Sequence, residues 1–281
     1  MVTKNNNDYK IIPIKCLADN YCYIIELKGT KDVILFDASQ STPIKDKLQA
    51  GAYNLAHLVL THHHHDHLGA IDDLLAQHPK LTGYGHWELS KHIEVSKFSQ
   101  FKQYNNNRDQ VAHIGDLSFS LLYLPGHASS SIGFLLDNHL FIGDVVFKAG
   151  CGGIFGGISS YKEMWQSINS INSLPADTLL YPGHDLSLDN LKFAQAIEPN
   201  NEFIKSEIAR PSCVTPTNIA LERKINPFFK TAKPEFQAKV RAFLKANNHH
   251  AELLEITNSP PEKLSFITFL IIRKLKSRWK C

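Results

Sequence analysis

Short apolar runs separated by turn residues fill the first part of the chain: Lys10–Cys16, Tyr21–Leu27, Val33–Phe36 and His57–Leu60. Their length, their Ile, Val and Tyr content and the breaks at Asp19-Asn20 and Gly29 predict β-strands. Ser41-Thr42-Pro43 predicts a helix start, a hydroxyl cap ahead of Pro in the first turn. Ile71, Leu74 and Leu75 at helical spacing predict another helix. Strand-like runs return at Leu117–Leu124, Ile132–Leu136, Leu140–Ile142 and Thr178–Tyr181. Strands alternating loosely with helices predict an α/β or α+β layered domain over residues 1–185.

Past Ser187 the period becomes helical. Leu188, Leu191, Ala194 and Ile197 form one stripe, and Phe236, Val240, Phe243 and Leu244 form another after Pro234. Ser259-Pro-Pro-Glu262 resembles a capping box, followed by Leu264, Ile267, Ile271 and Leu275. Residues 186–281 are thus expected to be a helical region. The Asn-rich patches Asn5–Asn7 and Asn105–Asn107 read as a flexible start and an exposed loop.

Composition narrows the class. With 281 residues, 43% hydrophobic and 20% charged, the chain can bury a full core, which excludes wholesale disorder. A net charge of +3 is too mild to indicate nucleic-acid binding. The polar Met1–Lys10 lacks a secretory pattern, and the longest apolar run, Leu264–Ile272, is under half a membrane span. The 5 cysteines, Cys16, Cys22, Cys151, Cys213 and Cys281, contain no C-x-x-C pair and read as reduced thiols or at most an incidental bridge. The expectation is a soluble, cytoplasmic monomer with no nucleic-acid or membrane partner.

Histidine changes this picture. Of 15 histidines, His62, His63, His64, His65 and His67 crowd into one segment, Leu58-Val-Leu-Thr-His-His-His-His-Asp-His67. An affinity tag would sit at a terminus, without an apolar strand before it or an acid inside; a solvated loop is the other bland reading. If the strand stays extended, His62 and His64 share one side, and Asp66 and His67 turn toward a second position. Leu124-Pro-Gly-His127 and Tyr181-Pro-Gly-His184 repeat one device, an apolar strand leading through a Pro-Gly turn to His, and Leu140-Phe-Ile-Gly-Asp144 ends a strand in an acid. Each alone reads as an ordinary turn. Together, His62, His64, Asp66, His67, His127, Asp144 and His184 give five imidazoles and two carboxylates, too many for one tetrahedral ion and suited to two ions sharing a bridge.

The motif His62-x-His64-x-Asp66-His67 with His127, Asp144 and His184 resembles the metallo-β-lactamase superfamily. Finer features resemble its glyoxalase II (hydroxyacylglutathione hydrolase) family: Asp19-Asn20-Tyr21, Phe141-Ile-Gly-Asp-Val-Val-Phe147, Ala149-Gly-Cys-Gly152 and Gly183-His184-Asp185. Asn190-Leu-Lys-Phe-Ala194, Glu198-Pro-Asn200, Pro216-Thr-Asn-Ile-Ala-Leu-Glu222 and Asn226-Pro-Phe228 continue the likeness through the helical region.

The resemblance implies a four-layer αββα sandwich with a C-terminal helical substrate-recognition region. It implies a first metal on His62, His64 and His127, a second on Asp66, His67 and His184, and Asp144 as the bridge, the metals being Zn, with Fe or Mn as alternatives. His63 and His65 lie outside the ligand positions. The implied reaction is hydrolysis of S-D-lactoylglutathione, or a related 2-hydroxyacyl thioester, to the hydroxy acid and free thiol by a metal-bridging hydroxide; a free Asp66 oxygen facing that nucleophile would orient it or accept its proton. A thiolate, from a thiol of ordinary pKa about 8.5, leaves without a strong general acid. The substrate partner is thus a small, glutathione-linked thioester.

Departures fall on recognition. After Gly-Cys-Gly the family commonly has a basic residue, an aromatic and Glu-Gly; here Gly153-Ile154-Phe155-Gly156-Gly157 replaces the base and the acid with glycine. Asp185-Leu186-Ser187 stands where the family has Glu-Tyr-Thr. Phe155 keeps the aromatic and Lys148 is a candidate cation. Arg273, Lys274, Lys276 and Arg278 are candidates for glutathione carboxylates, although a basic last turn suits any helix end. An insertion at Lys97–Arg108 is placed to alter the pocket mouth. Rival readings are another dinuclear hydrolase of this fold (lactone, β-lactam or phosphodiester), a one-iron persulfide dioxygenase, and a metal-binding protein with a degenerated pocket.

Overall fold

Tyr9–Cys16 (β1) and Asn20–Leu27 (β2) pair as an antiparallel hairpin that sets Cys16 opposite Asn20. The computed structural model describes residues 9–107, 110–210 and 216–279. Asp32–Phe36 (β3) pairs antiparallel with β2, and helix Ser41–Gly51 (α1) carries the chain to Asn54–Val59 (β4), parallel to β3. A parallel pair requires such a crossover. Residues Val33–Phe36 are fully buried, which is why that run reads as continuous rather than alternating apolar. His65–Leu68 (α2) and Ile71–Gln77 (α3) follow, then Thr82–His86 (β5) and Gln100–Tyr104 (β6), both added in parallel to give the order β1-β2-β3-β4-β5-β6.

Val111–Ile114 (β7), Leu117–Tyr123 (β8) and Ile132–Leu136 (β9) form an antiparallel meander, and His139–Gly143 (β10) comes next. Val146–Phe147 (β11) and Gly150–Cys151 (β12) make a small hairpin. With Leu179–Pro182 (β13) and Thr217–Asn218 (β14), the second sheet has the order β14-β13-β10-β9-β8-β7. Phe36 of β3 stacks on Phe141 of β10 at 3.9 Å between ring centroids and meets Phe134 and Phe119 at 5.8 and 5.9 Å. All four rings are fully buried, so aromatic packing joins the facing sheets.

By contacts the chain divides into two units, Met1–Tyr123 with Ala128–Asp137 and Phe141–Gly143, and Leu124–His127 with Asn138–Leu140 and Asp144–Cys281. The second unit carries helices Ile158–Asn172 (α4), Ser187–Ile197 (α5), Glu202–Ile208 (α6), Ile219–Ile225 (α7), Pro234–Ala246 (α8), His250–Asn258 (α9) and Pro261–Arg278 (α10). Ala149, Leu191, Ala194, Ile204 and Ile225 form one of its core clusters. None of the helices among the described residues is long and apolar enough to cross a membrane.

Several local expectations are corrected. Ser41 lies inside α1, whose N-cap is Gln40 with no side-chain cap bond. Ser259 Oγ donates to Glu255 O at 2.6 Å, closing α9 rather than opening α10, which starts from Pro260. The hydrophobic pattern missed α2, α4, α6, α7, α9 and strands β5 to β7, β11, β12 and β14. The Lys97–Arg108 segment supplies the edge strand β6, with Lys97 paired to Asp72 at 3.0 Å; Arg108 lies outside the described residues. Cys16, Cys22 and Cys151 are free and buried, with 3.8 Å between the Cys16 and Cys22 sulfurs. Cys213 and Cys281 also lie outside the described residues.

A buried carboxyl ties the helical region to the β11–β12 hairpin. Glu222 of α7 accepts from Ala149 N (2.9 Å), Asn226 Nδ2 (2.8 Å) and Thr217 Oγ1 (2.6 Å). Asn226 Nδ2 also donates to Gly150 O at 3.0 Å. Burial outweighs these bonds and pushes the Glu222 carboxyl up to about 7 from an ordinary 4.5. Because the folded value is the higher one, this contribution to stability is complete at low pH and is lost as pH rises from about 4.5 through 7. Glu222→Gln reproduces the protonated form. Its stability relative to wild type is therefore expected to improve by about 3 kcal/mol between pH 5 and pH 8, measured by urea unfolding. Parallel pH profiles for the two proteins would contradict this.

Candidate metal centre

The His-rich segment is shaped by the ends of β3 and β4. Strand β4 stops at Val59, earlier than the extended run the sequence suggests, and Leu60 N donates to Tyr84 O at 2.9 Å. His64 keeps an extended backbone (φ −71°, ψ 145°) as the N-cap of α2. The rings of His62 and His64 still share one side, with centroids 4.8 Å apart, and α2 brings the His67 ring to 4.3 Å from His62. His63 turns away to stack on His92 at 4.1 Å and to bond Ser130 Oγ at 2.8 Å, while His65 is exposed.

Asp37, just past β3 in the left-handed region (φ 57°), fixes the proton positions. Its Oδ1 accepts from Thr61 N at 2.8 Å, and its Oδ2 accepts from Thr61 Oγ1 at 2.8 Å and His67 Nδ1 at 2.9 Å. The Thr61 hydroxyl proton is thereby committed, so the 3.1 Å contact between Thr61 Oγ1 and His62 Nδ1 requires the imidazole to donate. Both His62 and His67 then carry their proton on Nδ1 and leave the Nε2 lone pair for ligation. Asn20 Nδ2 donates to Asp66 Oδ2 at 3.1 Å, and that oxygen lies 3.7 Å from His67 Nε2.

The second unit repeats this logic around Asp144. In the turn before His127, Gly126 has φ 128°, and a Cβ there would lie 2.4 Å from the Met164 backbone of α4. Ser167 Oγ of the same helix donates to Pro125 O at 2.7 Å. His127 Nδ1 meets Gly153 O at 2.8 Å, and a carbonyl only accepts, so His127 Nε2 also carries a lone pair. That Nε2 lies 3.5 Å from Asp144 Oδ2, and His184 Nε2 lies 3.2 Å from the same oxygen. At His127 an imidazole lone pair thus faces a carboxylate oxygen, an arrangement that a cation between them satisfies. Borderline divalent ions suit imidazole with carboxylate, so the donors fit a metal.

Most of the cations expected at the substrate have partners within the fold. Lys148 is buried with its Nζ 2.6 Å from Glu207 Oε2. Arg273 is buried and donates to Cys151 O at 3.0 Å, and Lys276 pairs with Asp189. Lys274 is exposed. Phe155 is 77% exposed, with its ring 5.7 Å from that of His127. Sequence reasoning missed Asp37 and the Gly153 carbonyl. Asp37 carried a readable signal, an acid at the end of an apolar strand like that at Asp144; a backbone carbonyl carries none.

Comparison with known proteins agrees with this architecture. Residues 18–184 match the metallo-beta-lactamase superfamily, and residues 185–277 match the hydroxyacylglutathione hydrolase C-terminus. A Legionella pneumophila protein named hydroxyacylglutathione hydrolase is 35% identical over 234 residues, covering 80% of this chain and 87% of its own length. One of the same name from Shewanella baltica is 32% identical over 250 residues, covering 85% and 92%. Among solved structures, ETHE1 from Myxococcus xanthus has a TM-score of 0.58 at 23% identity, covering 95% of this chain and 99% of its own. The B3 metallo-beta-lactamase BLEG-1 has a TM-score of 0.57 at 22% identity, covering 79% and 99%. These two likenesses speak to the fold alone, an α/β sandwich of metallo-β-lactamase type followed here by a C-terminal helical region. By sequence along nearly its whole length, the chain belongs to the hydroxyacylglutathione hydrolase family of the metallo-β-lactamase superfamily.

Proposed function

We propose that the chain is a metal-dependent thioester hydrolase acting on S-D-lactoylglutathione or a related 2-hydroxyacyl thioester, releasing the hydroxy acid and the free thiol. The carrying observation is the donor set. Within the first unit the His62 ring centroid lies 4.8 Å from that of His64 and 4.3 Å from that of His67, with Asp66 Oδ2 3.7 Å from His67 Nε2; within the second, His127 Nε2 and His184 Nε2 lie 3.5 and 3.2 Å from Asp144 Oδ2. In this reading His62, His64 and His127 hold one divalent ion, Asp66, His67 and His184 a second, and Asp144 serves both. Zn is the first candidate, with Fe or Mn as alternatives. Two such ions, when bound, supply a polarised thioester carbonyl and a water acidified toward neutrality.

The chain's own residues do the rest. Asp37 and Gly153 O hold the imidazoles of His62, His67 and His127 in the ligating tautomer. Asn20 holds Asp66 Oδ2, which keeps that carboxylate oriented to take a proton from the attacking water. Phe155, exposed beside His127, offers an apolar rim to the substrate. The catalytic roles fall to Asp66 and Asp144. Residues 1–185 act as the catalytic domain and 186–281 as the recognition region in this scheme.

Hydrolysis of lactoylglutathione is expected to vanish on chelation and return with Zn, Fe or Mn, followed by thiol release. Turnover of a lactone or β-lactam with no thioesterase activity would overturn the reading. Asp144→Ala is expected to lower kcat by roughly 100-fold or more, since a charged group shared by both ions is lost; full activity in that variant would contradict the shared bridge. Asp37→Asn puts an amide donor among three donors. Metal affinity by chelator competition should fall by about 10–100-fold, and an unchanged affinity would show that the tautomers are set by other groups.

A further inference from the structure

Arg273 of α10 is 7% exposed, yet its guanidinium sits among neutral groups. Nη1 donates to Cys151 O at 3.0 Å, Nη2 to Ser277 Oγ at 3.1 Å, and the Phe228 ring centroid lies 5.8 Å from the guanidinium carbon. Nε has no acceptor, and Arg273 enters no ion pair among the described residues. A buried cation without a counter-ion is costly, so its one strong fixed acceptor, the Cys151 carbonyl, needs a reason.

The backbone after Cys151 supplies that reason. A Cβ on Gly152 would lie 2.0 Å from Asp144 O and 2.9 Å from His127 Nδ1, so the chain runs directly against both residues. The next carbonyl, Gly153 O, is the one that accepts from His127 Nδ1 at 2.8 Å. Gly152 and Gly153 have no side chains to anchor their peptides, and Gly152 N reaches Val145 O only at 3.4 Å. Next to this glycine pair, Cys151 is held by its strand pairing with Val146 and, at its carbonyl, by the charged hydrogen bond from Arg273.

We propose that Arg273 is a positioning residue: by holding the Cys151 carbonyl it fixes the Gly152-Gly153 backbone, whose carbonyl orients His127. The inference builds on the reading of His127 as a metal ligand. It gives Arg273 a task separate from pairing with a substrate carboxylate, and the two tasks leave different kinetic marks.

The test uses the full chain as wild type, Arg273→Met, Arg273→Lys and His127→Ala. Metal affinity is read by chelator competition, the His127 Nδ1 proton by NMR of the metal-free protein, and kinetics on lactoylglutathione beside a glutathione-free lactoyl thioester. Arg273→Met is expected to weaken metal affinity by about 10-fold and to speed exchange of the His127 Nδ1 proton, which His127→Ala identifies by its disappearance. It should lower kcat by the same factor on both substrates with KM unchanged. Arg273→Lys, which keeps a charged donor, is expected to fall between, and it carries the same readouts if the Met variant does not fold. An unchanged affinity and an unchanged Nδ1 proton would overturn the proposal, as would a KM increase confined to the glutathione substrate. If His127→Ala itself leaves metal affinity intact, the ligand reading fails first and this inference falls with it.

Discussion

The Asp37 carboxylate, accepting one backbone and two side-chain hydrogen bonds, is the interaction on which the His-rich segment depends. Imidazole ligates through one nitrogen only when the other holds the proton, and a cluster of histidines left to itself has no preference. A buried acceptor that engages Thr61 and His67 together removes that freedom. The left-handed backbone at Asp37 is unfavourable for a side-chain-bearing residue by roughly 1–2 kcal/mol, and the three bonds offset it. The strain belongs to the device: it turns the carboxylate back across the end of β4.

The second unit solves the same problem with backbone. Asp144 and His127 stand beside a glycine-rich turn whose carbonyl does what Asp37 does elsewhere. Backbone of that kind has to be held from outside. Glu222 and Asn226 from α7 and the 3-10 turn after it grip Phe147–Gly150, and Arg273 from α10 grips Cys151. The C-terminal helices thus brace the backbone beside Asp144 and His127. The cations expected at the substrate, Lys148, Arg273 and Lys276, have partners within this scaffold.

What the sequence disclosed follows from how local each signal is. His62, His64, Asp66 and His67 were legible because four candidate ligands sit in one segment after an apolar strand. His127, Asp144 and His184 were legible because each ends an apolar run at a turn. Helix α4 escaped because it starts from Gly157 without a side-chain cap and is rich in serine, although Met164, Ile168 and Ile171 do keep helical spacing. Ser259 was misread because a hydroxyl between two helices can close one or open the other, and only the fold decides. Arg273 looked like one of a run of basic residues at a helix end. Its burial against Cys151, 122 positions away in the chain, has no local signature.

In the proposed function seven side chains hold two ions through one shared carboxylate. Anomalous diffraction at the metal edge from crystals of the metal-loaded protein tests it most directly. Two peaks roughly 3.5–4 Å apart are expected on either side of Asp144, one ligated by His62, His64 and His127 and the other by Asp66, His67 and His184. A single peak, or two peaks with Asp144 outside the ligand sphere of either, would contradict it.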